Sequence, residues 1–148
     1  MMLPLQLTER RLQVDRAAIR RYADLTNDHN PIHLDPDFAA KTAMGGIIAH
    51  GMLSLSLIWQ SLEATFGRER MVDVAVDIRF VRPVREDDWV VAGGTRTDDH
   101  ATYEVWVRAE GQGRSETVIA GSAMFDVGAC DIPLGLHSSA QDWRGSNT

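Results

Sequence analysis

A chain of 148 residues with 44% hydrophobic and 24% charged side chains has the size and composition of one ordinary globular domain. Its net charge of −6 argues against a nucleic-acid-binding surface, and no apolar run reaches the roughly 18 residues of a membrane span. One cysteine, Cys130, excludes an intrachain disulfide and fits a reducing compartment. With no apolar signal-peptide core in "MMLPLQLTERRLQ", the expected setting is cytoplasmic.

Residues 5–14 read as a strand or an extended lead-in. Asp15 is placed to cap the helix "RAAIRRYADLT", whose Ile19, Tyr22 and Ala23 share one face. The run 26–36, "TNDHNPIHLDP", reads as loop, because Pro31 and Pro36 disfavour helical backbone at Asn30 and Asp35. Asp35 then caps, and Pro36 opens, a short helix through "PDFAAKTAM" that Gly45-Gly46 closes. Residues 52–66 carry Met52, Leu53, Leu55, Leu57, Ile58, Trp59, Leu62 and Phe66 almost all round the helix, which predicts burial on most sides. Gly67 supplies the stop.

Beyond it the period changes to two. Val72, Val74, Val76, Ile78 and Phe80 alternate with Asp73, Ala75, Asp77 and Arg79, predicting a half-buried strand that Pro83 ends. Strands over 88–94, 102–110 and 116–127 follow, separated by Asp98-Asp99 and by Gly111-Gln112-Gly113. Polar connections this short join antiparallel neighbours and cannot make parallel crossovers. One nearly all-apolar helix followed by an antiparallel sheet gives an α+β fold with the sheet wrapped round a central helix. A single domain over 1–148 is expected, with the Gly-, Ser- and Asp-rich tail 128–148 peripheral.

The loop concentrates proton chemistry. His29 and His33 are four apart, but the prolines keep them off a common helical face, so a helical HxxxH metal pair loses its geometric basis and no metal is expected. Asp28 and His33 lie across a tight Asn-Pro bend that can turn both toward one point. A carboxylate only accepts hydrogen bonds whereas an imidazole donates or accepts, so the two can hold one water for general acid–base work. Asn30 is suited to orienting a substrate carbonyl or fixing Asp28. The plainer reading is that Asp28 and Asn30 only stabilise a turn and His33 fills space; spacing does not separate the two. Further on, "AHGM" (49–52) opens the apolar helix. Unpaired amides at a helix N-terminus, with a glycine permitting close approach, could form an oxyanion hole for a thioester carbonyl, or Gly51 could be a space-saving helix start. No G-x-S-x-G surrounds Ser54 or Ser56, and neither a G-x-G-x-x-G nor a P-loop lysine is present.

Taken together, "YADLTNDHNPIHLDPDFAAKTAMGGIIAHGML" resembles the hydratase motif of the MaoC-like (R)-specific enoyl-CoA hydratases, a likeness running from about Arg20 to Val127. The resemblance implies a hot-dog fold and a homodimer whose sheets join, with an acyl tunnel near the interface. It implies reversible addition of water to a trans-2-enoyl-CoA to give an (R)-3-hydroxyacyl-CoA, with coenzyme A as part of the substrate and no other cofactor. Asp28 and His33 become the catalytic pair and Asn30 their support. His50 and Gly51 become substrate-binding positions, the Gly51 N–H polarising the thioester carbonyl. Trp59, two turns into the central helix, is expected on or near the acyl path, or else is simple core. Arg79, Arg82 and Arg85 are candidates for the phosphates of coenzyme A. Two alternatives stay open: a dehydratase of 3-hydroxyacyl chains on acyl carrier protein or of branched or dicarboxylic acyl-CoA, and a non-catalytic acyl-binding hot-dog subunit.

Overall fold

The structure, a computed structural model, describes residues 3–99, 101–111 and 113–125. Cys130 and the tail 128–148 lie outside the described residues. Strand β1 spans Arg10–Gln13, and Gln6 makes a separate bridge to Thr95. Helix α1, Arg16–Thr26, begins where expected: the Asp15 carboxylate accepts from Ala18 N at 2.7 Å, and Ile19 and Ala23 are fully buried. Asn27, in the left-handed region at φ 56°, ends it.

The run 26–36 is not wholly loop. Pro31–Leu34 forms a one-turn helix, α2, because Asn30 caps it and Pro31 sits at its first position, where a missing N–H costs nothing. Helix α3 spans Pro36–Ala40 and stops short of the predicted Gly45-Gly46. Its cap is the predicted one, Asp35, which accepts from the amides of Asp37 and Phe38 at 3.0 and 3.1 Å.

Helix α4, Gly51–Phe66, is the centre of the fold. Leu53, Leu57, Ile58 and Leu62 are buried, and the helix packs on β1, on β3 (Trp89–Arg96) and on β4 (Thr102–Gly111). Each such side chain contributes about 1.5–3 kcal/mol of transfer free energy when fully buried. Burial does not extend all round, however. Met52 and Trp59 remain 57% and 37% exposed, because the sheet covers only one side of the helix.

The sheet is five-stranded and antiparallel throughout, in the order β1-β3-β4-β5-β2, with β5 at Arg114–Phe125 and β2 at Val74–Phe80. The hot-dog arrangement of helix and wrapping sheet is therefore present. Strand β2 starts two residues later than predicted, after a 3-10 turn at Arg68–Asp73 that leaves Val72 exposed. It pairs with β5 at one edge, whereas β3 joins β1 at the other. The chain between them, 81–88, must therefore cross beneath the sheet. It does so against the segment that precedes α4, with Ala49 N donating to Val84 O at 2.8 Å. Buried Asp88 fixes the corner: its Oδ2 accepts from Arg85 N at 2.9 Å and pairs with Arg114.

The close approach of β2 to β5 requires a glycine at Gly121. It lies opposite Ile78 on one side and Val105 on the other, and a Cβ there would stand 2.1 Å from Asp77 O and 2.6 Å from Ile78 Cα. Both are backbone atoms that cannot swing aside. Gly121→Ala should therefore cost about 1–3 kcal/mol or more, as overpacking does. A thermal melt should show this as a drop of several degrees in Tm; an unchanged Tm would mean that β2 does not press on β5 in this way.

Candidate active site

Local hydrogen bonding shapes the loop before any chemistry is considered. Asp28 N donates to Ala23 O at 3.1 Å, continuing the end of α1. Asp28 Oδ1 accepts from Asn30 N at 3.3 Å, and Asn30 Oδ1 accepts from Ile32 N at 3.1 Å. Both side chains thus stabilise the turn. In doing so Asn30 spends its carbonyl on α2, so it braces Asp28 through its main-chain amide. The turn also delivers a side chain: the single turn of α2 brings His33 over the strap 48–50 that leads into α4.

That strap fixes two imidazoles. His33 Nδ1 lies 2.7 Å from Ile48 O, and His50 Nε2 lies 2.9 Å from Asp28 O. A carbonyl can only accept, so Nδ1–H of His33 and Nε2–H of His50 are the donors. Neutral His33 therefore presents a free Nε2 lone pair. The two rings stack, with centroids 3.9 Å apart and planes at 29°. A carboxylate oxygen of Asp28, a ring nitrogen of His33 and one of His50 all fall within 4.8 Å of one another. Two hydrogen bonds of ordinary length to one water span about 4.6 Å. Asp28 and His33 are therefore close enough for one water to reach both.

The same cluster has the composition of a metal site, which the sequence did not foresee, since His50 comes from a distant segment rather than from an HxxxH pair. His50 Nε2 carries the proton donated to Asp28 O and cannot ligate while that bond stands, and His50 Nδ1 is buried without a partner among the described residues. Asp28 and His33 Nε2 keep lone pairs to offer.

A cavity of about 310 Å³ opens beside His33. The crossing segment 81–84 makes one wall, and Ile48, Ala49, Gly51 and Ser54 make the facing one. Val118, Ile119 and Ser54 are buried at its floor, whereas Gly51, Phe80 and Val81 are exposed at its rim. No side chain caps the first turn of α4. Its opening amides, carrying the positive end of the helix dipole, lie at that rim. A Cβ on Gly51 would meet Phe80 Cε1 at 2.9 Å. The glycine thus gives both a close approach to the backbone and room for the ring.

A family model described as a MaoC like domain matches residues 5–118. The chain belongs to the MaoC-like family. An (R)-specific enoyl-CoA hydratase of Aeromonas caviae is 38% identical over 76 residues, 51% of this chain and 57% of that protein. A solved (R)-hydratase from A. caviae superposes with a TM-score of 0.62 at 28% identity, covering 81% of this chain and 96% of that one. Relatives with other names match as well. A 3-hydroxyacyl-thioester dehydratase X of Mycobacterium tuberculosis is 38% identical over 73 residues, 49% of this chain and 25% of its own length. A nodulation protein N of Rhizobium meliloti is 35% identical over 91 residues, 53% and 52%. The chain spans about half the length, or less, of these curated relatives.

Within this MaoC-like domain the remaining predicted positions separate. His50 is 4% exposed and lies outside the cavity lining, behind His33. Trp59 stands on the uncovered flank of α4, also away from the cavity. Arg82 reaches the rim and pairs with Glu116 at 3.2 Å; Arg85 is turned inward onto Met44 O; Arg79 lies exposed on β2. Sequence reading missed the Ile48 carbonyl and the place of Phe80 beside Gly51. Both contacts join residues far apart in the chain, and neither leaves a local signal. Among the described residues, no helix is long and apolar enough to cross a membrane.

Proposed function

We propose that this MaoC-like chain is a hydro-lyase that adds water to a trans-2-enoyl-CoA to give an (R)-3-hydroxyacyl-CoA. The observation that carries the reading is the Asp28–His33 pair, spaced for one water at the mouth of an apolar cavity beside an uncapped helix start. A binding module has no need of a carboxylate and an imidazole so matched, which disfavours the non-catalytic alternative. The same groups serve the reverse reaction. Loss of water from a 3-hydroxyacyl thioester, the activity in the name of the M. tuberculosis relative, is thus the second reading.

In the competent state the pair shares one extra proton, with Asp28 a carboxylate and His33 an imidazolium. His33 Nδ1–H stays on the Ile48 carbonyl, which accepts it in either charge state. As the water oxygen attacks C3, Asp28 takes a proton from the water and His33 Nε2 gives one to C2 on the same face. Water thus supplies the new C–O bond, the old C=C π pair becomes the C2–H bond, and transfer from Asp28 to His33 resets the pair. Negative charge gathers on the thioester oxygen as the enolate develops. The Gly51 N–H at the start of α4 stabilises it, a contribution on the order of 3 kcal/mol for a well-placed donor.

The reading includes a homodimer. Strand β2 is an edge whose outer side has no strand partner among the described residues, and Met52, Trp59, Phe80 and Val81 are exposed large hydrophobics on α4 and at the end of β2. Unpaired strand edges and apolar surface of this kind invite a second chain. Coverage by a partner would also account for a helix that is apolar on every side.

Two experiments test the reading. Crotonyl-CoA should lose its enoyl-thioester absorbance on adding the protein. Asp28→Asn should lower kcat by about a hundredfold or more while the melting curve is retained; an unchanged kcat would refute the mechanism. Sedimentation should give twice the chain mass, and Met52→Lys should shift it toward monomer. A wild-type protein that sediments as one chain would refute the dimer.

A further inference from the structure

We propose that His50 is a positioning residue for the acid–base pair and that it does not contact the substrate. This deepens the hydratase reading and rests on it for the identity of the reaction. The geometry stands on its own.

Three observations carry it. First, His50 holds Asp28 by the backbone. Its Nε2–H donates to Asp28 O at 2.9 Å across 22 residues of sequence, and the same nitrogen is 4.0 Å from Asp28 Oδ2. The residue that must aim a carboxylate at the water is thereby fixed at its own carbonyl. Second, the His50 ring lies flat against His33 at 3.9 Å, with Tyr22 closing in at 5.1 Å from another direction. A buried ring in van der Waals contact limits how far His33 can swing about its Nδ1–H bond to Ile48. One side chain therefore touches both members of the pair, which otherwise belong to an exposed loop and a single helical turn.

Third, the tautomer of His50 is forced. Since Nε2 bears the proton, neutral His50 keeps its lone pair at Nδ1, and that atom is buried without a partner among the described residues. The Nε2–H bond to the Asp28 carbonyl is therefore the one hydrogen bond that the ring makes among the described residues, and with the stack on His33 it sets the ring's orientation.

The two functions of His50 can be separated by substitution in the full chain. His50→Gln places an amide N–H near the Nε2 position, keeping the donor and losing the stack. His50→Phe keeps a flat ring and loses the donor. Two readouts are taken: amide hydrogen exchange across the molecule, which needs no turnover, and the kinetics of crotonyl-CoA hydration. In His50→Phe, exchange at the Asn30 amide, which donates to Asp28, should rise about tenfold, as expected for loss of one supporting hydrogen bond. The amides of β3, β4 and the later turns of α4 should keep their protection. The same variant should lose about tenfold or more in kcat, with KM within a few-fold. His50→Gln should recover most of the loop protection and part of kcat. The proposal is overturned by wild-type exchange at Asn30 in His50→Phe, by protection lost evenly across the molecule, or by a rise in KM at constant kcat, the mark of a direct substrate contact. If the wild-type protein hydrates no enoyl-CoA, the hydratase reading fails, and the exchange data still decide whether His50 holds the loop.

Discussion

Everything at the site depends on the strap from Ile48 to His50 passing directly under the Asp28–His33 turn. Its two ends make the two imidazole-to-carbonyl hydrogen bonds: Ile48 gives a carbonyl to His33, and His50 reaches a carbonyl of Asp28. Because both acceptors are main-chain carbonyls, both tautomers are determined, and so is the free lone pair on His33 Nε2. The strap is in turn held by the crossing segment through Ala49 and Val84, and that crossing exists only because β2 and β3 occupy opposite parts of the sheet. Sheet order thus reaches the chemistry in three steps: the strand order sends 81–88 under the sheet, the crossing pins the strap, and the strap aims the histidine.

Much of this was legible in the sequence, for reasons that differ by residue. The caps at Asp15 and Asp35 are local, since each side chain bonds amides two or three residues on, so composition and spacing suffice. The α+β architecture follows from the switch of hydrophobic period after Gly67. Asp28 and His33 stood out because the Asn-Pro bend between them can turn both toward one point, although spacing left the turn-stabilising reading equally open. The turn-stabilising reading of Asp28 and Asn30 does not exclude the water-holding one: the bonds that build the turn use Asp28 Oδ1 and leave Oδ2, which lies 4.0 Å from His50 Nε2.

The rest was hidden because it depends on long-range packing. Nothing near His50 indicates that its ring folds back across 22 residues onto Asp28, so its sequence neighbour Gly51 suggested a place in the substrate site. Likewise α2 was obscured by Pro31. A proline disfavours helix in the residue before it but opens one readily at its own position when an asparagine supplies the cap. The apolar residues almost all round α4 predict burial on most sides, yet the chain's own sheet covers only one side and leaves Met52 and Trp59 exposed.

The central claim is that one water is held between a carboxylate and an imidazolium on the same side of the substrate, so that its oxygen joins C3 on the face where His33 protonates C2. The measurement that bears on it most directly is hydration of crotonyl-CoA in deuterium oxide, with the product's configuration at C2 and C3 read by NMR coupling. A pair that shares one water predicts a single (R)-3-hydroxy product with deuterium at C2 on the same face as the new hydroxyl. Deuterium on the opposite face, or scrambled between both, would contradict it.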